Sequence, residues 1–350
     1  MRTPLGLLAC ALLVCVTPAV AGAATSDDVV RALPSWRHVD VNTSQGLRGL
    51  AAVDATTAWV TGSEGGVWRT TDAGEHWRKV SPGTAKPLMY RDVEAVDADH
   101  AQVLAIGSGR RSRILRTSDG GATWETTFVN RDQDAFYDCL AMYDDGVHGL
   151  AMSDPVDGKF RIIRTDDGGD TWTVTPRRGM PKAVEGEFGF AASGTCLVTV
   201  GADAYLASGG GASRIFRSRD GGTSWTVTSG RIPAAEAGGV FSLAFKDART
   251  GLAVGGDFTL PDDGHRMSAY GTRGRWTRGG DLGGYRSGVA WLAGTRPVAV
   301  AVGPTGSDLT RDGGRTWKAF DGGSFDAVMC AVDGACWASG ADGAVALLDR

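Results

Sequence analysis

Five charged residues stand at one recurring place in the chain. Arg48, Arg91, Asp138, Arg286 and Asp326 each directly follow a large apolar or aromatic residue: Leu47, Tyr90, Tyr137, Tyr285 and Phe325. Two further copies of that place, after Phe188 and Phe241, carry Gly189 and Ser242. Side chains alternate across a strand, so a residue one step from a buried aromatic faces the other way. If the aromatics pack between structural units, the charged set converges. Arginines 48, 91 and 286, arriving from separate units, suit a carboxylate or another anion, because each guanidinium offers paired donors in a fixed plane. A ring of arginines and aspartates that pair only with one another accounts for the same residues. The candidate ligand-binding set is therefore Arg48, Arg91, Arg286, Asp138 and Asp326.

A second group of carboxylates lies in polar turns. Ser153-Asp154-Pro155-Val156-Asp157-Gly158, Glu185-Gly186-Glu187 and Gly255-Gly256-Asp257-Phe258 place acids on consecutive units. Glycoside hydrolysis requires two carboxyl groups, one as acid and one as base or nucleophile. Asp138, Asp154, Glu187 and Asp257 are the candidate catalytic residues for that chemistry, although Asp and Gly are also ordinary turn residues. The segment from Ala202 to Ser213, with Gly209-Gly210-Gly211, reads as a mobile flap over the same face. It lacks the Lys-Ser/Thr of a phosphate loop. The five histidines (His38, His76, His100, His148, His265) show no metal-ligand spacing, and neither a Ser-His-Asp arrangement nor a nucleotide or flavin fingerprint is legible. No metal and no cofactor are expected.

The elements that must carry these groups announce themselves through a repeated word. Thr165-Asp166-Asp167-Gly168-Gly169-Asp170-Thr171-Trp172 follows the pattern Ser/Thr-x-Asp-x-Gly-x-x-Trp, and four other copies centre on Asp72, Asp119, Asp220 and Asp312. Short apolar runs flank the word, which places it in a turn between two strands. Asp accepts backbone N–H bonds, Gly supplies positive φ, and Trp anchors the returning strand. The Asp spacings are 47, 48, 53 and 92, so a degenerate copy belongs in the last gap, where Trp276 stands. The seven apolar openers (Leu47, Tyr90, Tyr137, Phe188, Phe241, Tyr285, Phe325) lie 25 to 32 residues upstream of their words. The seventh unit stops at Arg350, before its word would begin, and the strand it needs is available in Ser35-Trp36-Arg37-His38-Val39-Asp40-Val41. Seven units of four short strands, with the first strand completing the last unit, predict an all-β fold: a seven-bladed β-propeller closed by pairing its two ends. Residues 35–350 form this one domain.

Composition agrees. With 52 Gly, 12 Pro and 42% apolar residues, the chain suits many tight turns around sizeable cores. A net charge of −4 offers no basic surface for nucleic acid. Arg2, the apolar run Leu5–Val16 and the small residues of Ala19–Ala23 read as a signal peptide over residues 1–23, followed by a leader over 24–34. An exported, periplasmic or secreted monomer without membrane insertion is the expectation. Of the four cysteines that remain, Cys330 and Cys336 flank an Asp-Gly hairpin signal that permits a cross-strand bridge. Cys139 and Cys196 fit a disulfide or buried thiols.

The repeated word resembles the Asp-box, or bacterial neuraminidase repeat. The whole mature chain resembles Asp-box propellers, and most of all the photosystem II assembly factor family and its relatives in non-photosynthetic bacteria. The resemblance implies that Asp72, Asp119, Asp167, Asp220 and Asp312 are structural and lie on the face opposite the usual site. It implies a binding scaffold for a protein, peptide or anionic ligand on the inner-strand face, an envelope assembly or maturation factor by analogy. The sialidase-like fold also admits the alternative, a glycoside hydrolase or lyase acting on an anionic glycan. Arg231-Ile232-Pro233 lies between the fourth and fifth units, where it cannot serve as a sialidase's first-blade motif.

Overall fold

The computed structural model describes Met1, residues 33–84 and residues 86–349. The expected signal peptide and nearly all of the leader lie outside the described residues. Pro34–Asp349 form one compact unit. It contains seven antiparallel sheets, six of four strands and one of six. The inner strands, in chain order, are Leu47–Ala52, Met89–Ala95, Tyr137–Met142, Leu197–Val200, Gly238–Asp247, Gly288–Trp291 and Ala327–Cys330. Each packs on the next, and the last packs on the first. The molecule is a seven-bladed β-propeller.

Closure follows from one strand pair. Ser35–Asp40 runs antiparallel to Ala344–Asp349, from Ser35 opposite Asp349 to Asp40 opposite Ala344. Trp36 is buried there, donates from Nε1 to Ser307 Oγ of the sixth blade at 3.0 Å, and packs on Phe325 at 5.2 Å between ring centroids. Closure leaves no blade with an open edge at the ends of the chain, the exposure that an unclosed array would carry.

The repeated word forms the same turn in every full copy. In the third blade Thr165 Oγ1 donates to Asp167 Oδ1 at 2.7 Å and accepts from Gly169 N at 2.9 Å. Thr171 donates its N–H to Asp167 Oδ1 and its hydroxyl to Oδ2, at 2.9 and 2.6 Å. Gly169 sits at φ 89°, the left-handed region that a Cβ disfavours. Both carboxylate oxygens are used within their own turn. The tryptophans that end the words stitch blades together: Trp77 meets Trp337 of the seventh blade edge-on at 6.0 Å, and Trp124 meets Trp59 of the first at 6.4 Å. Hydrophobic cores therefore lie in the seams between blades, as with Trp59, Tyr90 and Val103.

The fourth blade departs from the repeat. Its inner strand starts at Leu197, well past Phe188. Glu187–Phe188 forms a two-residue strand on Gly209–Gly210, which in turn pairs with Gly239 of the fifth blade. The expected flap over 202–213 is instead strand Asp203–Ala207 followed by this buried pleat. Freed from strand duty, the run between Phe188 and Leu197 crosses the central channel. Ser193 Oγ reaches Ser287 O of the sixth blade at 2.7 Å, Thr195 Oγ1 meets Ser242 Oγ of the fifth at 2.7 Å, and Gly194 lies against the Asp92 carboxylate of the second. The segment is a plug. A disulfide, Cys139–Cys196, ties its end to the third blade, and Cys330–Cys336 bridges the two inner strands of the seventh.

Stability should follow the turn carboxylates. Hydrogen bonds from the turn hold Asp72, Asp119 and Asp167 at about 2, against 3.8 for the free group. Groups with depressed values stabilise the fold above their unfolded value and lose that contribution as pH falls through the folded one. The melting temperature is therefore expected to drop between about pH 4 and pH 2. In Asp167→Asn it should be lower at pH 7 and drop less across that window; an unchanged acid profile would contradict this account.

Candidate functional site

Four of the inner strands carry a β-bulge at their start. Pairing skips between Leu47 and Gly49, Tyr90 and Asp92, Tyr137 and Cys139, and Val240 and Ser242. The extra residues are Arg48, Arg91, Asp138 and Phe241. A bulge re-aims the side chain it carries, and all four line one cavity of about 690 Å³ at the inner-strand face. Simple alternation had placed Ser242 at this position in the fifth blade. The bulge there falls one residue earlier, so Val240 takes the buried opener position and Phe241 faces the cavity.

The positive wall comes from the first two blades. Arg48 Nε lies 3.4 Å from Asp326 Oδ2, a contact between the first and seventh blades. Arg91 sits close enough to feel both: burial, then the charge of Arg48, lowers its value to about 10, while Asp326 works in the opposite direction. Its Nε is buried with no hydrogen-bond partner among the described residues. Burial raises Asp326 above the ordinary carboxylate range, and the two arginines pull it back. Asp326 thus pairs with Arg48 and lies within electrostatic reach of Arg91, which leaves one positive charge uncommitted.

Arg286 does not join them. It is 1% exposed and donates from Nε to Asp308 Oδ2 at 2.7 Å, with further bonds to Tyr285 O and Thr305 Oγ1. Its strand begins at Gly288, so the opener Tyr285 precedes the strand and itself lines the cavity. The convergence of three arginines expected from spacing is a convergence of two.

The acidic wall holds two of the four candidate carboxyls. Asp138 and Asp154 both line the cavity, close enough for each to act on the other's titration. Burial and the neighbouring acid push Asp138 well up, and burial raises Asp154 to about 6 even though Gly189 N donates to its Oδ1 at 2.7 Å. Glu187 is elsewhere, buried in an ion pair with Arg214 and accepting from Ser208 Oγ. Asp257 caps a turn through Thr259 N and Oγ1. Spacing alone did not find Phe190, Phe136 or Phe258, which complete the aromatic lining. Phe190 is fixed by Phe241 at 4.3 Å and Phe188 at 4.9 Å.

Below the cavity, Asp92 accepts from Leu140 N at 2.6 Å, and burial raises it to about 8. On the opposite side of the molecule a cavity of about 580 Å³ lies beside the repeated turns, but its charges pair among themselves, His148 with Asp145 and Arg164 with Asp166. Asp72, Glu75 and His76 bring ligand-type atoms close together in an exposed turn, where both Asp72 oxygens already accept bonds from His76.

The sequence matches no protein family and no curated protein. Solved structures share the fold. YCF48 bound to D1 peptide is similar over 90% of this chain and 97% of its own, with a TM-score of 0.64 and 14% identity. YCF48 from Cyanidioschyzon merolae covers 90% and 98% with a TM-score of 0.60 and 17% identity. The GH74 xyloglucanase from Xanthomonas campestris reaches a TM-score of 0.59 at 19% identity, with this chain spanning 53% of it. At these identities the likeness shows a propeller and leaves the ligand to the site.

Because Arg286 and Asp308 are both buried, removing one partner strands the other's charge. Arg286→Met should cost about 3–5 kcal/mol in urea unfolding; a loss below about 1 kcal/mol would mean the pair is solvated.

Proposed function

We propose that this chain is an exported binding propeller that holds a peptide or protein segment by an anionic group in the inner-strand cavity, acting as an envelope assembly or maturation factor. One observation carries the reading: Arg91, half-shielded from water and within electrostatic reach of Arg48, has a buried Nε without a partner among the described residues, while the nearby carboxylate of Asp326 is paired with Arg48. Desolvated guanidinium donors of this kind favour a carboxylate that can accept two bonds at once. The aromatic lining from Phe188, Phe190, Phe241 and Tyr285 supplies apolar area for the rest of the segment. Support by likeness comes from a propeller solved with a peptide bound. The five repeated turns, read as Asp-boxes, serve the scaffold, since Asp72, Asp119, Asp167, Asp220 and Asp312 spend their oxygens locally.

A glycosidase is the second reading, favoured by the similarity to a GH74 enzyme. Against it, burial pushes both Asp138 and Asp154 up, so neither is held as the ready carboxylate that a nucleophile or base must be. Glu187 and Asp257 are engaged away from them.

Selection of peptides from a random library on the immobilised protein tests the first reading. Enriched peptides should bind Arg48→Ala/Arg91→Ala at least about tenfold more weakly, with the melting temperature little changed because Arg48 is partly exposed. Undiminished binding by the double variant would place the site elsewhere. Turnover of a uronate or sialoside that disappears in Asp154→Asn would favour the hydrolase.

A further inference from the structure

We propose that Asp138 and Asp154 form a recognition site for an organic cation, the ammonium or guanidinium of a basic side chain, at the third-blade wall of the cavity. The inference rests on the binding reading above and deepens it: the segment held there carries a basic residue as well as its anionic group.

Four observations support it. Asp138 is 2% exposed, and its Oδ2 meets no donor among the described residues although it borders the cavity. A buried acceptor without a donor is costly unless a ligand or water completes it. Second, no Lys, Arg or His is paired with either carboxyl among the described residues; the groups that act on them are Gly189 N from the plug, the backbone N–H of Asp154, and each other. Third, access is held open by a glycine. A Cβ on Gly189 would stand 3.0 Å from Asp138 Oδ2 and 2.5 Å from Met152 Cε. Fourth, the lining includes an aromatic group, with Phe188, Phe190, Phe241 and Tyr285 in one contiguous cluster and Phe258 at 52% exposure 6.4 Å from Phe190. Aromatic faces beside a carboxylate suit an ammonium or guanidinium. A hard metal ion instead asks for six or more oxygen ligands, and the pair supplies only its own carboxyls.

Binding exchanges charge for charge. Burial favours the protonated form of both carboxyls; a cation entering beside them favours the ionised form, so a carboxyl proton leaves to solvent as the cation enters. Affinity should therefore rise with pH through the window set by Asp154, about 6, and by Asp138, whose burial also pushes it well up.

The probe is n-butylammonium chloride titrated into the whole protein at fixed ionic strength, followed by NMR, with n-butanol as the uncharged match. Saturable binding of the ammonium, tighter at pH 8 than at pH 5, and at least about tenfold weaker in Asp138→Asn is the expected result. Gly189→Ala keeps both acids and fills the space before them, so it should weaken binding too and covers the case in which Asp138→Asn misfolds. Equal binding of n-butanol, an inverted pH trend, or full affinity in Gly189→Ala would overturn the proposal. Peptide binding that needs Arg91 while n-butylammonium shows no saturation also overturns it, and leaves the anion-binding reading standing.

Discussion

The inner-strand face depends on the pairing of Ser35–Asp40 with Ala344–Asp349. That pair makes the seventh blade a neighbour of the first, and only then does Asp326 come within reach of Arg48. The contact joins residues nearly a whole chain apart. Without it, Arg48 and Arg91 would repel each other on one rim with no carboxylate between them. Closure thus sets the electrostatics of the cavity as well as protecting the sheet edges.

Within the closed ring, small departures from the repeat create the site. Bulges at the starts of four inner strands turn Arg48, Arg91, Asp138 and Phe241 toward one space. A larger departure, the displaced inner strand of the fourth blade, releases Gly189 to Thr195 to cross the channel. Hydrogen bonds to Ser287 and Ser242, the Cys139–Cys196 bridge and the aromatic contacts of Phe190 fix that segment. It gives the cavity a floor and separates it from Asp92 below. The bulges and the displaced strand, not the regular ladder, bring these side chains to the cavity.

Two charged pairs that look alike in the chain end with opposite fates. Arg286 and Arg91 both follow a tyrosine opener. The strand containing Arg91 already includes its opener Tyr90 and bulges there, whereas the sixth inner strand starts three residues after Tyr285, so Arg286 swings out to Asp308. Likewise Glu187, entering the fourth blade, is claimed by Arg214 from a strand of that same blade. Asp138 has no such partner and meets Asp154 instead.

The amino-acid sequence by itself determined the blade count, the turns and the ring closure. Those depend on local patterns, Asp and Gly chemistry in a tight turn and apolar alternation in strands, that repeat at a spacing any reader can count. It also marked Arg48, Arg91, Asp138 and Asp154 as residues of interest. Which charges meet was decided only by tertiary structure. Bulges, a strand that begins late and a plug crossing the channel shift side chains by one position or to another neighbour, and period-two alternation carries no record of such shifts. The raised carboxyls of Asp138 and Asp154, the burial of Arg286 and the unpartnered Nε of Arg91 arise from desolvation and from contacts between blades, which exist only once the ring has closed.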